Sequence, residues 1–106
     1  MDITTDTTPD RTTLVLTGDF DVRSTWDVRN AIHAALQTSE VDVVVDLTGV
    51  EAIDVTALRV LAYATREATK SGHHLVLRGC GPAVRRMLHL SHLRRAVEVE
   101  RAAATA

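Results

Sequence analysis

The stretch from Val41 to Leu58 constrains this chain more than any other. Val43-Val44-Val45 is a brief β-branched run, the pattern of a strand covered on both faces, and Leu58, Leu61, Ala62 and Thr65 then recur at helical spacing. A strand at about 41–47, a short turn and a helix at about 56–70 commit the chain to an α/β sheet. Asp54-Val55-Thr56 stands where one hands over to the other. A hydroxyl there lies among unpaired helix N–H groups at the positive end of the dipole, an environment that tolerates a phosphate on its oxygen. Thr56 is therefore a candidate switch residue, against the plainer role of a first-turn hydroxyl that satisfies a backbone N–H. Asp54 reads as an N-cap or as a group that orients the hydroxyl, and the two roles can coexist.

The remaining segments alternate around this unit. Residues 2–8 are Thr-rich and read either as an edge strand or as a tail, Thr8-Pro9-Asp10-Arg11 as a turn, and Thr12 to Thr17 as a strand that makes the opening a hairpin and ends at Gly18. Gly18-Asp19-Phe20-Asp21 is a loop, and Ser24 or Thr25 caps a helix that carries Val28, Ile32, Ala35 and Leu36 on one face. Gly72 stops the helix that begins near Thr56, and His74 to Arg78 is a strand. Pro82 opens a helix through Val84, Met87 and Leu88, with Leu90 and Leu93 continuing the apolar pattern. Val97 to Glu100 alternates as a last strand, and Arg101 to Ala106 is an Ala-rich tail. The order is β-β-α-β-α-β-α-β. After the hairpin, such alternation predicts right-handed parallel crossovers and a mixed sheet with helices mainly on one face.

Size and charge narrow the functional classes. At 106 residues one domain is expected, and the core must be aliphatic, since aromatics are only 3%. Trp26, Tyr63 and Phe20 are single occurrences, too few for stacking on bases. Residues 1–53 carry 3 basic and 10 acidic side chains, residues 54–106 carry 9 and 4, so a net charge of -2 hides an acidic half and a basic half. This reads as complementary solvated faces or a protein interface, because nucleic-acid binding domains are strongly basic overall. Arg85-Arg86 and Arg94-Arg95 are solvated helix faces or part of such an interface.

Other chemistries find little support. Cys80 stands alone between two glycines and reads as an inert thiol. His89 and His92 lack a third ligand at a metal-binding spacing, as does His73-His74, so no metal is expected. Gly79-Cys80-Gly81 has neither the length nor the lysine of a phosphate loop. The N-terminus is polar and acidic, without an apolar signal core, and no apolar run approaches membrane-spanning length, which predicts a soluble, cytoplasmic protein.

Four motifs in order resemble the STAS domain, the fold of bacterial anti-sigma factor antagonists. Gly18-Asp19-Phe20-Asp21 is similar to the family's Gly-Glu-Leu-Asp loop, and Asp54-Val55-Thr56-Ala57-Leu58 to its Asp-Ser-Ser-Gly-Leu helix start. Pro82 to Leu88 resembles Pro-Ala-Val-x-x-x-Leu, and Leu90-Ser91-His92-Leu93 the Leu-x-x-Leu segment. The resemblance spans about residues 3–100 and implies a STAS-like mixed sheet. It implies Thr56 as phosphoacceptor, with Asp54 and Asp21 as acids beside it.

The partner it implies is an anti-sigma factor with Ser/Thr kinase activity, which uses its own ATP. This chain is then a non-enzymatic regulator without a cofactor. The implied partner face comprises Asp19 and Phe20, Val55, Ala57 and Leu58, and the exposed helix side with Arg59, Tyr63 and Arg66. A phosphate among Asp21 and Asp54 would disrupt an interface tuned to a neutral hydroxyl. Val55 and Ala57 depart from the family's Ser and Gly. They keep open a second implication, a constitutive docking subunit of a lipid-transport ABC complex or a stress-sensing scaffold. An enzyme built on Asp54, Thr56 and Asp21 would lack a base and a cofactor motif.

Overall fold

The computed structural model describes residues 1–38 and 42–100. Asp2–Thr7 (β1) and Arg11–Phe20 (β2) pair antiparallel from Asp2↔Thr17 to Thr7↔Thr12, so the opening segment is a strand and not a tail. Thr8 closes the hairpin around Pro9. Its N–H and hydroxyl both donate to the Arg11 carbonyl, at 2.9 and 3.1 Å, and its hydroxyl accepts from the Arg11 N–H at 3.2 Å. Then follow α1 (Thr25–Thr38), β3 (Asp42–Ile53), α2 (Val55–Lys70), β4 (Leu75–Arg78), α3 (Pro82–Ser91), a 3-10 turn (Arg94–Ala96) and β5 (Glu98–Val99). The expected strand start at Val41 and the Ala-rich tail 101–106 lie outside the described residues.

The sheet order is β1-β2-β3-β4-β5, with β2 through β5 parallel to one another. When each parallel strand is added beside its predecessor in one direction, right-handed crossovers place every connecting helix on the same face. Leu14, Leu16, Val43, Val45, Leu47, Leu75 and Leu77 point to that face at alternate positions. They share one core with Val28 and Ile32 of α1, Leu58, Leu61 and Ala68 of α2, and Val84 and Leu88 of α3. The other face stays more open: Thr13, Val15, Asp46, Val76 and Arg78 are half-buried there. Arg78 pairs with Glu100 at 3.0 Å and His74 with Glu98 at 3.2 Å, across the β4–β5 edge.

Two boundaries differ from expectation. Gly18 does not end β2, which runs on to Phe20, and β3 does not stop at Leu47 but continues through Thr48-Gly49 to Ile53. The reason is pairing: the two strands extend each other as parallel neighbours, and each of two register shifts places one extra residue in β3. Gly18, at φ +110°, supplies a bend that L-residues rarely adopt, and the Asp46 carboxylate accepts the Thr48 N–H at 2.9 Å to support the first irregularity. Pro82 occupies the start of α3 and Gly72 follows the end of α2, both as expected. Leu90, by contrast, faces solvent, because α3 buries only the stripe through Val84 and Leu88.

Candidate functional site

The prolonged ends of β2 and β3 bring the Asp19–Val22 segment against the start of α2, and Asp54 joins them. Its N–H donates to the Phe20 carbonyl at 3.2 Å. Its Oδ1 accepts the Ala57 N–H at 2.8 Å, and its Oδ2 accepts the Val22 N–H at 3.2 Å. Asp54 therefore caps α2 and also fastens the loop from β2 to α1 onto that helix start. With the capping done by Asp54, Thr56 is exposed and its hydroxyl has no hydrogen-bond partner among the described residues.

Asp21 is engaged elsewhere. Its Oδ1 accepts from the Arg23 N–H at 3.0 Å and from Nε at 3.3 Å, and its Oδ2 meets Arg23 Nη2 at 2.7 Å. These bonds from Arg23 hold its carboxyl below the usual carboxylate range. Asp21 opens onto a surface depression with Asp19, Arg23 and Asp27, not onto the groove beside Thr56. Ser24 precedes α1 and its carbonyl accepts the Val28 N–H at 3.1 Å. Its buried hydroxyl turns back to the loop, accepting the Asp21 N–H at 3.2 Å, so it does not cap the helix.

Thr56 lines a groove of about 570 Å³ between α1 and α2. Ile32, Leu36, Val60 and Ala64 line its apolar part, and Arg29, His33, Arg59, Tyr63 and Glu67 supply its polar groups. Near the start of α1, Val22 is 64% and Trp26 65% exposed, and Tyr63 on α2 is 57% exposed. The Arg29 guanidinium stands 5.7 Å from the centre of the Trp26 ring, within cation–π range.

The expected partner residues divide under this geometry. Asp19, Arg59, Tyr63 and Arg66 are exposed and Val55 is half-buried, but Phe20, Ala57 and Leu58 are fully buried in the core. As the first-turn stripe of α2 and the end of β2, those three support the surface from beneath and present no side chain to a partner. Arg66 lines a second groove, with Arg95 and Val97, that adjoins the first at Tyr63. Sequence reading missed Val22, Trp26, Arg29 and His33. A tryptophan two residues ahead of Val28, off the apolar stripe of α1, was the available signal, since a large aromatic off the stripe must face solvent or a partner.

Among the described residues no group of His, Cys, Asp and Glu side chains could hold a metal ion, and no helix is long and apolar enough to cross a membrane. Cys80 is buried, which pushes its thiol up, partly opposed by Arg85 and Arg94.

A family model described as "Mlab, STAS domain" matches residues 3–99. No curated protein sequence matches the chain. Among solved structures the chain is similar to TM1081 of Thermotoga maritima, at 20% identity and TM-score 0.81, covering 92% of this chain and 84% of that one. It is similar to an anti-sigma factor antagonist from Mycobacterium paratuberculosis, at 24% identity and TM-score 0.78, covering 95% and 86%. It is also similar to the Bacillus cell fate determinant SpoIIAA in its phosphorylated form, at 16% identity and TM-score 0.70, covering 93% and 91%. At such identities the likeness is one of fold. The family match is a separate finding and runs from the first strand of the hairpin to the last strand of the sheet: the chain belongs to the STAS domain family.

Proposed function

We propose that this protein is an anti-sigma factor antagonist, a non-enzymatic cytoplasmic module that binds an anti-sigma factor with Ser/Thr kinase activity and is released when Thr56 is phosphorylated. The observation that carries this reading is exposed Thr56 at the start of α2, its hydroxyl without a hydrogen-bond partner among the described residues because Asp54 does the capping, in one groove with Arg29, Arg59 and Tyr63. Aromatic and arginine side chains anchor protein interfaces: Tyr63, Arg29 and Arg59 line the same groove as Thr56, and Arg29 lies against exposed Trp26. The fold shared with antagonists supports the partner class. In the transfer, the γ-phosphoryl of the kinase's ATP passes to Thr56 Oγ1, ADP departs and the hydroxyl proton goes to the kinase's base.

The test is intact-mass analysis after incubation with ATP and candidate anti-sigma kinases, on wild type and Thr56→Ala. A gain of one phosphate that the variant loses is the expected result. Binding by a kinase that adds no phosphate would overturn the switch.

A second reading is a constitutive docking subunit of a lipid-transport complex, in which the same face binds without a phosphate cycle. It is favoured by the family description, which names the Mlab STAS domain, and by Val55 and Ala57, which depart from the Ser and Gly of the motif this segment resembles. Co-purification with transporter subunits, unaffected by Thr56→Ala, is its expected signature.

A further inference from the structure

We infer that Arg29 of α1 and Arg59 of α2 form the receptor for a phosphate on Thr56, so that the modified residue bridges the two helices and draws Arg29 away from Trp26. This rests on the reading of Thr56 as a phosphoacceptor and names how that site responds.

Three observations carry it. Arg29, Thr56 and Arg59 line the same groove, from two different helices. Arg59 follows Thr56 by three residues on α2, which makes them surface neighbours. Both guanidinium groups are on exposed residues, and neither is paired with a carboxylate among the described residues, Arg29 instead lying against the Trp26 ring.

The acids expected to repel a phosphate are engaged in other bonds. Asp54 accepts N–H groups on both oxygens, and Asp21 is bound to Arg23 and faces a different depression. The other titratable groups of the groove stand farther off: His33 lies one turn beyond Arg29 on α1, and Tyr63 and Glu67 lie two and three turns beyond Thr56 on α2. A phosphate carries up to two negative charges and three strong acceptor oxygens, and guanidinium forks are its best side-chain partners. The charge on Thr56 is thus satisfied within the molecule. Its effect on a partner is to occupy the groove mouth and withdraw two arginines from intermolecular use.

The test places phosphothreonine at position 56 during translation of the full chain, so no kinase is required and the outcome is independent of whether one modifies Thr56. Titration of the phosphate by phosphorus NMR gives its second ionisation, which lies near 6 for a free phosphate. It should fall in wild type relative to Arg29→Ala and to Arg59→Ala by about half a pH unit for each arginine, as exposed ion pairs allow. The double variant should lose both contributions and keep that of the helix N-terminus. Emission from Trp26, the single tryptophan, should change on phosphorylation in wild type and not in Arg29→Ala.

Both arginines are exposed, so the variants retain the fold, and circular dichroism of each verifies it. An ionisation equal in wild type and all three variants overturns the receptor. A dependence on Arg59 alone, with unmoved Trp26 emission, overturns the bridge between the helices.

Discussion

Asp54 does at one residue what two would otherwise be needed for, since one carboxylate oxygen caps α2 and the other holds the loop at Val22. Asp54→Ala is expected to cost about 2 kcal/mol, the upper end for a lost cap, because a second bond to a charged acceptor goes with it. Asp54→Asn keeps an acceptor for the Ala57 N–H and forfeits the Val22 bond, so its loss should be about half as large, read from urea unfolding with unchanged slope. Asp21 makes a prediction about pH. Its carboxyl is lowered by the Arg23 bonds, so the folded state binds that proton less readily than the unfolded chain. The stability this contributes is present above the ordinary carboxylate range and is lost as pH falls through the lowered value. It is small, because the Arg23 side chain is 81% exposed. Arg23→Ala should move the Asp21 carboxyl back up toward its ordinary range in a carbon-detected NMR titration while leaving neutral-pH stability nearly unchanged.

At the scale of elements, the helices were legible because their apolar stripes repeat over many residues, and Val28-Ile32-Ala35 and Leu58-Leu61-Thr65 are buried where the spacing puts them. The far ends of β2 and β3 were not legible. Gly18 and Thr48-Gly49 carry turn chemistry locally, and only the parallel pairing of residues some thirty apart in sequence turns them into bulged strand. The same limit hid half of the site. Thr56 and Asp54 are read from one segment, whereas Arg29 joins them only because α1 packs beside α2, a contact that no local pattern encodes. The bulged ends are what deliver Phe20 to Asp54, so the bend at Gly18 should be sensitive. Gly18→Ala forces an L-residue to φ +110° and is expected to cost about 1–3 kcal/mol, although the nearest atom to the new methyl, Met1 Cα at 3.5 Å, leaves room for it. Urea unfolding gives the loss. A cost near zero would mean that β2 re-forms without the bend, and loss of Val22 amide protection from hydrogen exchange would tie the strain to the site.

At the scale of the molecule, the acidic first half and the basic second half do not neutralise each other through close ion pairs among the described residues. The ion pairs among the described residues, Arg23–Asp21, Lys70–Glu67 and Arg78–Glu100, and the His74–Glu98 contact each join residues of the same half. Arg59 and Arg66 on α2 therefore keep their charge for solvent or a partner. Arg66 and Arg95 line a neighbouring groove that meets the Thr56 groove at Tyr63, so substitutions at Thr56 and at Arg66 probe different parts of the α2 surface. Trp26 stands at the start of α1 with 65% of its surface exposed, outside the core, so Trp26→Ala should change stability by no more than about 0.5 kcal/mol. If the α1–α2 side docks the anti-sigma factor, the same substitution removes the exposed aromatic that Arg29 lies against and should weaken binding about tenfold or more. Arg86→Ala, exposed on α3 away from that groove, should leave affinity within about twofold, the range of a rim charge. Titration calorimetry of both variants against the anti-sigma factor, at low and at 0.5 M salt, separates the contributions. The Trp26 loss persists at high salt, because it is apolar, while any Arg86 effect fades there, because it is screened. Equal losses from the two variants would move the docking face off the α1–α2 side and take the phosphate switch with it.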